Sequence, residues 1–121
     1  MEQKKDHDSH TTIAELRDEI RQFVEERDWG QFHSPKNLGM SIAIEAAEIM
    51  EHFQWYTNEK SIEVIREKET QALVADEMAD VLIYCIILAN QADVDISSAV
   101  RSKMIRNKDR FPIGYMPITE D

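Results

Sequence analysis

Apolar residues recur along the chain at three- and four-residue intervals, and nowhere in the strict alternation that marks a strand. Thr12-Ile-Ala-Glu15 has the form of a capping box, and Leu16, Ile20, Phe23 and Val24 follow at helical spacing, so a first helix is predicted over about residues 12–28. Pro35 suits the first turn of a second helix running to about Trp55. The polar stretch Thr57–Thr70, with Ile62, Val64 and Ile65, reads as either a short helix or a linking arm. A third helix is predicted over about 70–91 and a fourth over about 96–109, with Asp95 or Ser97 as its cap. Gly30, Pro35 and Gly39 form one cluster of helix breakers and Pro112, Gly114 and Pro117 another; between Gly39 and Pro112 there is neither residue. The pattern predicts an all-α, four- to five-helix bundle over residues 12–112, with tails at 1–11 and 113–121.

The second and third helices break the usual amphipathic rule. Glu45-Ala-Ala-Glu48 and Glu77-Met-Ala-Asp80 each place two carboxylates at i and i+3, on one face about a turn apart. Ser41, Glu45, Glu48 and His52 form a stripe bordered by Leu38, Ile42 and Ile49 on one side and Ile44 on the other. Glu77, Asp80 and Tyr84 form a similar stripe beside Leu73, Val81 and Leu88. Solvated acidic residues belong opposite an apolar face, whereas these lie inside one. Four carboxylates converging in a bundle need a cation, because desolvation and mutual repulsion both oppose their charge. Oxygen donors without cysteine suit a hard ion, Mg²⁺ or Mn²⁺, whose open positions take water and phosphate oxygens. A di-iron centre fits less well, since it expects Glu-x-x-His pairs and the third helix has no histidine.

Charge sharpens the reading. The 121 residues carry 14 Lys and Arg against 24 Asp and Glu, a formal charge of −10, which argues against nucleic-acid or anionic-membrane binding. A resident metal ion reverses the local field, so an acidic chain can still take an anionic substrate. Cys85 is the single cysteine and cannot form an intramolecular disulfide; no apolar signal core stands at Met1–His10; and the apolar run Val81–Ala89 is too short for a bilayer. A cytoplasmic protein is expected. That same run, apolar nearly all round, predicts association with a second copy.

The two carboxylate pairs, separated by the 28 residues 49–76, resemble the signature of the MazG-like all-α nucleoside triphosphate pyrophosphohydrolases. The segments Glu25–His33, Pro35–Leu38, Phe53–Trp55, Asp80–Tyr84 and Lys103–Asn107 through Pro112 are similar to one branch of that family, the dCTP pyrophosphatases. The likeness runs over about residues 12–112. It implies a MazG-like bundle completed by subunit pairing, as a dimer or a homotetramer built as a dimer of dimers. It also implies Mg²⁺-dependent hydrolysis of a nucleoside triphosphate, dCTP or a modified analogue, to the monophosphate and pyrophosphate, in nucleotide-pool house-cleaning. Carried over residue by residue, the resemblance gives Glu45, Glu48, Glu77 and Asp80 to the metal. Trp29 and Trp55 go to the base with His33 nearby, and Tyr84, Lys103 and Asn107 to the sugar or phosphates. Two positions depart from wider family patterns: Ile44 stands where many members carry a further acidic residue, and Ile20 where some present a polar one.

The residues are chemically suited to these roles. Tryptophan faces stack on bases, and Lys103, Arg106, Asn107 and Arg110 recur at i, i+3, i+4 and i+7 as a basic stripe able to clamp phosphates. Glu48 is the candidate to take the proton of an attacking water. A competing reading is a noncatalytic helical interaction module with acidic docking stripes, for which the carboxylates would face outward.

Overall fold

The computed structural model describes residues 6–117. Five α-helices account for most of them: α1 (Ile13–Glu26), α2 (Pro35–Glu51), α3 (Asn58–Val64), α4 (Lys68–Ala92) and α5 (Ile96–Arg110), with a single 3₁₀ turn, Trp29–Phe32, between α1 and α2. No strand occurs among the described residues, as the hydrophobic periodicity predicts. The N-terminal tail expected at 1–11 and the C-terminal tail expected at 113–121 lie partly outside the described residues.

Local chemistry sets the helix starts. Thr12 accepts from the backbone N–H of Glu15 at 3.1 Å while the Glu15 carboxylate accepts from that of Thr12 at 3.4 Å, completing the capping box. Ser34 caps α2 through the Asn37 N–H, with Pro35 in the first turn. Thr57 caps α3, so the segment left open between helix and arm contains a short helix. Asp95 caps α5 through the N–H of Ser98.

The helix ends differ from expectation. The first helix stops at Glu26, short of 28, because Asp28 takes a left-handed conformation (φ 52°) that an α-helix cannot continue. Asp93 (φ 55°) ends α4 in the same way. The second helix stops at Glu51, four residues before Trp55: the N–H groups of His52 and Phe53 reach back only three residues, to Ile49 and Met50, tightening the last turn before Thr57 restarts the chain.

Helix α2 lies along α4 in the most extensive pairing of the molecule, and α1 packs on the C-terminal half of α4. Leu38 is the most deeply buried large side chain, joined in the core by Val64, Val74, Ile86, Ile87 and Ala89. Full burial of a leucine contributes about 1.5–3 kcal/mol. One polar knot pins α1 to the end of α4. Arg17 Nε donates to Asn90 Oδ1 (2.9 Å) and its guanidinium to the Val94 carbonyl (2.6 Å), Arg21 also donates to Asn90 Oδ1 (3.3 Å), and Asn90 Nδ2 returns a bond to the Arg17 carbonyl (3.3 Å).

Much apolar surface stays uncovered. On α2 the residues turned away from α4 are Met40, Ala43, Ile44, Ala47 and Met50, all exposed, while its acidic stripe is half-buried. The helix is therefore amphipathic the wrong way round for a solitary bundle.

Candidate metal centre and adjoining groove

Helix geometry brings two carboxylate-bearing turns together. Glu45 and Glu48 stand on the α2 face that meets α4, and Glu77 on the α4 face that meets α2. One carboxylate oxygen from each lies within 4.8 Å of the other two, and all three side chains are half-buried. Burial and crowding both act on their protons. The Glu45 carboxyl is held above its ordinary value of 4.5, first by desolvation, then by a hydrogen bond with Glu48 and the charges of Glu48, Asp80 and Glu77. Glu77 is raised first by its own hydrogen bond with Glu48 and then by desolvation, against a smaller opposing pull from His52. Oε2 of Glu45 is buried with no hydrogen-bond partner. Among the described residues, the one basic group within ion-pair distance of the cluster is His52, whose Nε2 lies 3.6 Å from Glu77 Oε1. An oxygen-only donor set with an orphaned buried oxygen fits a hard divalent cation.

Three of the four expected ligands, Glu45, Glu48 and Glu77, form the tight set. Asp80, one turn beyond Glu77, is exposed and lies outside the tight set, near enough for its charge to raise Glu45. It lines a groove of about 250 Å³ between α1, the 3₁₀ turn and α4, together with Phe23, Val24, Trp29, His33, Ile83, Tyr84 and Ile87. Four predicted site residues thus meet there: Trp29, His33, Asp80 and Tyr84.

The groove wall is built rigidly. The Trp29 ring meets Phe23 edge-on, with centroids 5.4 Å apart and planes at 80°, and the Arg27 guanidinium covers Phe23 at 3.8 Å. The left-handed Asp28 turns Trp29 back onto α1 for this contact. Asn37 Nδ2 donates to the Phe32 carbonyl and Gln91 Nε2 to that of His33, tying the 3₁₀ turn to α2 and α4. His33 Nδ1 is buried without a partner. Phe23, Ile83 and Gln91 were not singled out as site residues. Phe23 was legible only as one of the apolar positions of α1, and no local signal marks Ile83 or Gln91.

The other predicted site residues stand elsewhere. Trp55, on the turn after α2, is 87% exposed and lines no part of the groove. Lys103, Asn107 and Arg110 lie on α5, which pairs extensively with no other helix, and among the described residues no hydrogen bond or ion pair joins them to the carboxylates. Arg110 rests over the ring of Phe111 at 5.1 Å. No helix among the described residues is long and apolar enough to cross a membrane.

Comparison with known proteins gives the same outline. The MazG-like family matches residues 40–116. The chain is 37% identical over 102 residues to dCTP pyrophosphatase 1 of Rattus norvegicus, covering 84% of this chain and 60% of that protein. It is 39% identical over 101 residues to the Homo sapiens protein of the same name, covering 84% and 59%. It therefore spans about 60% of the length of these curated relatives. A crystal structure of a pyrophosphatase from Archaeoglobus fulgidus superposes with a TM-score of 0.78 at 39% identity, covering 88% of this chain and 97% of that one. With its all-helical fold and with a family match running from α2 to beyond α5, this chain belongs to the MazG-like family.

Proposed function

We propose that residues 12–112 form a Mg²⁺-dependent pyrophosphohydrolase that converts a nucleoside triphosphate and water to the monophosphate and pyrophosphate. The substrate is dCTP or a modified analogue, and the protein clears such nucleotides from the cytoplasmic pool. The observation that carries this reading is the inward carboxylate cluster, which has an orphaned oxygen and opens beside an aromatic groove. A docking module would present those groups outward. The activity is that named for the mammalian relatives and, as pyrophosphatase, for the archaeal structure.

Glu45, Glu48 and Glu77 would hold the ion, with Asp80 completing the set from the groove side; Mn²⁺ suits the same donors. When bound, the ion supplies the positive field that neutralises the triphosphate oxygens and the departing pyrophosphate. Trp29, Tyr84 and Phe23 offer flat walls for a base, with the His33 ring beside them. Glu48, which lies within 4.8 Å of the other two carboxylates of the cluster, takes the proton of the attacking water.

The reading also calls for a second copy of the chain. The outward apolar face of α2, with Met40, Ile44 and Met50 exposed, favours a homodimer or a dimer-of-dimers tetramer. In such an assembly the stripe Lys103, Asn107 and Arg110, together with Trp55, reaches the carboxylates of a neighbouring copy.

The test is a panel of ribo- and deoxynucleoside triphosphates with Mg²⁺, scored for pyrophosphate with and without chelator. Chelator-sensitive pyrophosphate release, highest with dCTP or its 5-substituted analogues, is expected. Absence of release from every nucleotide overturns the enzymatic reading and favours the docking module.

A further inference from the structure

We infer that His52 is the positioning residue that aims Glu77 at the metal ion. The inference rests on the metal-dependent reading above and concerns a side chain outside the tight carboxylate set. His52 occupies the cap position at the end of α2, its backbone N–H shared between the carbonyls of Ile49 and Met50, so its Cα is fixed relative to Glu48 four residues before. The imidazole meets the Phe53 ring edge-on at 6.4 Å, which limits its tilt. Its Nε2 is 3.6 Å from Glu77 Oε1, and the two side chains are only 24% and 21% exposed. A closing movement of about 0.6 Å makes this an ordinary N–H···O bond.

A lone carboxylate can rotate toward or away from its neighbours, and an oxygen of Glu77 lies within 4.8 Å of one on each of Glu45 and Glu48. A donor held on Oε1 leaves Oε2 to face the ion and removes that freedom. A neutral imidazole with its proton on Nε2 suffices, so the role needs no charge on His52. Ligating carboxylates are commonly held by such outer donors, and losing one typically costs about 10–100-fold in metal affinity.

The experiment titrates the full chain with Mn²⁺ and reads free ion by electron paramagnetic resonance, for the wild type, His52→Leu and His52→Gln. Leucine keeps the bulk and removes the donor; glutamine carries an N–H about as far from the backbone as Nε2. His52→Leu is expected to weaken Mn²⁺ binding about 10–100-fold, and His52→Gln to restore it close to wild type, with chelator-treated melting curves alike for all three. Equal affinity in wild type and His52→Leu overturns the positioning role and leaves the metal site standing. Equal loss in both variants also overturns it, since a ligand or a structural residue is not rescued by an amide. A wild type that takes up no Mn²⁺ overturns the metal reading itself, and this inference with it.

Discussion

The Asn90 knot offers the sharpest test of how the groove is held together. Asn90→Ala removes two bonds donated by guanidinium groups, at 2.9 and 3.3 Å, and one returned to the Arg17 carbonyl at 3.3 Å. A hydrogen bond to a charged group contributes about 1.5–3 kcal/mol net and a neutral one about 0.5–1.5. The longer two bonds and the solvent around Arg21 lower the sum. Arg17 also keeps the Val94 carbonyl, and Arg21 keeps its 2.7 Å pair with Asp18. A loss of about 2–3 kcal/mol remains.

With an unfolding entropy of about 2.1 cal/mol/K per residue, a chain of 121 residues loses roughly 8–12 °C of melting temperature. The loss concentrates on α1, so amide exchange in Ile13–Glu26 should quicken more than in α2 or α4. Because α1 carries Phe23 and Val24, one wall of the groove loosens as well. The assay is calorimetric melting of wild type and variant with hydrogen exchange by mass spectrometry. A melting shift below about 2 °C with α1 exchange unchanged refutes the view that this knot secures the wall.

Other outcomes follow from the carboxylates and the surface. Glu48→Gln should abolish pyrophosphate release and Mg²⁺-dependent thermal stabilisation while leaving the metal-free fold intact; retained activity removes Glu48 as base. In chelator, Glu45 and Glu77 hold protons more tightly in the folded chain than at their ordinary 4.5, so melting temperature should rise as pH falls from neutral toward that value. Below 3.8 stability falls again as Asp95, whose carboxyl its Ser98 bonds hold below that value, takes up its proton. With excess Mg²⁺ the first trend reverses, because protons displace the ion; a flat profile in both media argues against the shared cluster. Trp29→Ala should raise KM with kcat little changed, whereas Trp55→Ala should have an effect only in the assembled protein. Light scattering should give a mass of at least twice 14.1 kDa, and mixing inactive Lys103→Ala with inactive Glu48→Gln subunits should recover activity; a micromolar monomer contradicts the shared site.

Local rules made the helices and their caps legible: Thr12 with Glu15, Ser34 before Pro35, and Asp95 each satisfy N–H groups only three residues away. The same locality made the odd placement of Glu45, Glu48 and Glu77 readable, since a turn of 100° per residue fixes which side chains share a face. Where a helix stops was less legible. Asp28 and Asp93 enter the left-handed region without the glycine that usually announces it, and the tightening at His52 depends on where the next segment begins.

Periodicity can say that acidic residues lie within an apolar face, but it cannot say which neighbour that face meets. Pairing α2 with α4 joins three carboxylates, whereas the packing of α1 on α4 makes a groove from residues up to 64 positions apart, Phe23 to Ile87, with Asp80 in its lining. Those partnerships depend on turn dihedrals and on contacts such as Gln91 with His33 or Arg17 with Asn90, each closing a long loop of chain. Helical phase is a property of neighbouring residues and is written in their order; the meeting of distant faces belongs to the folded whole, because its free energy comes from contacts that exist only once the chain has closed on itself.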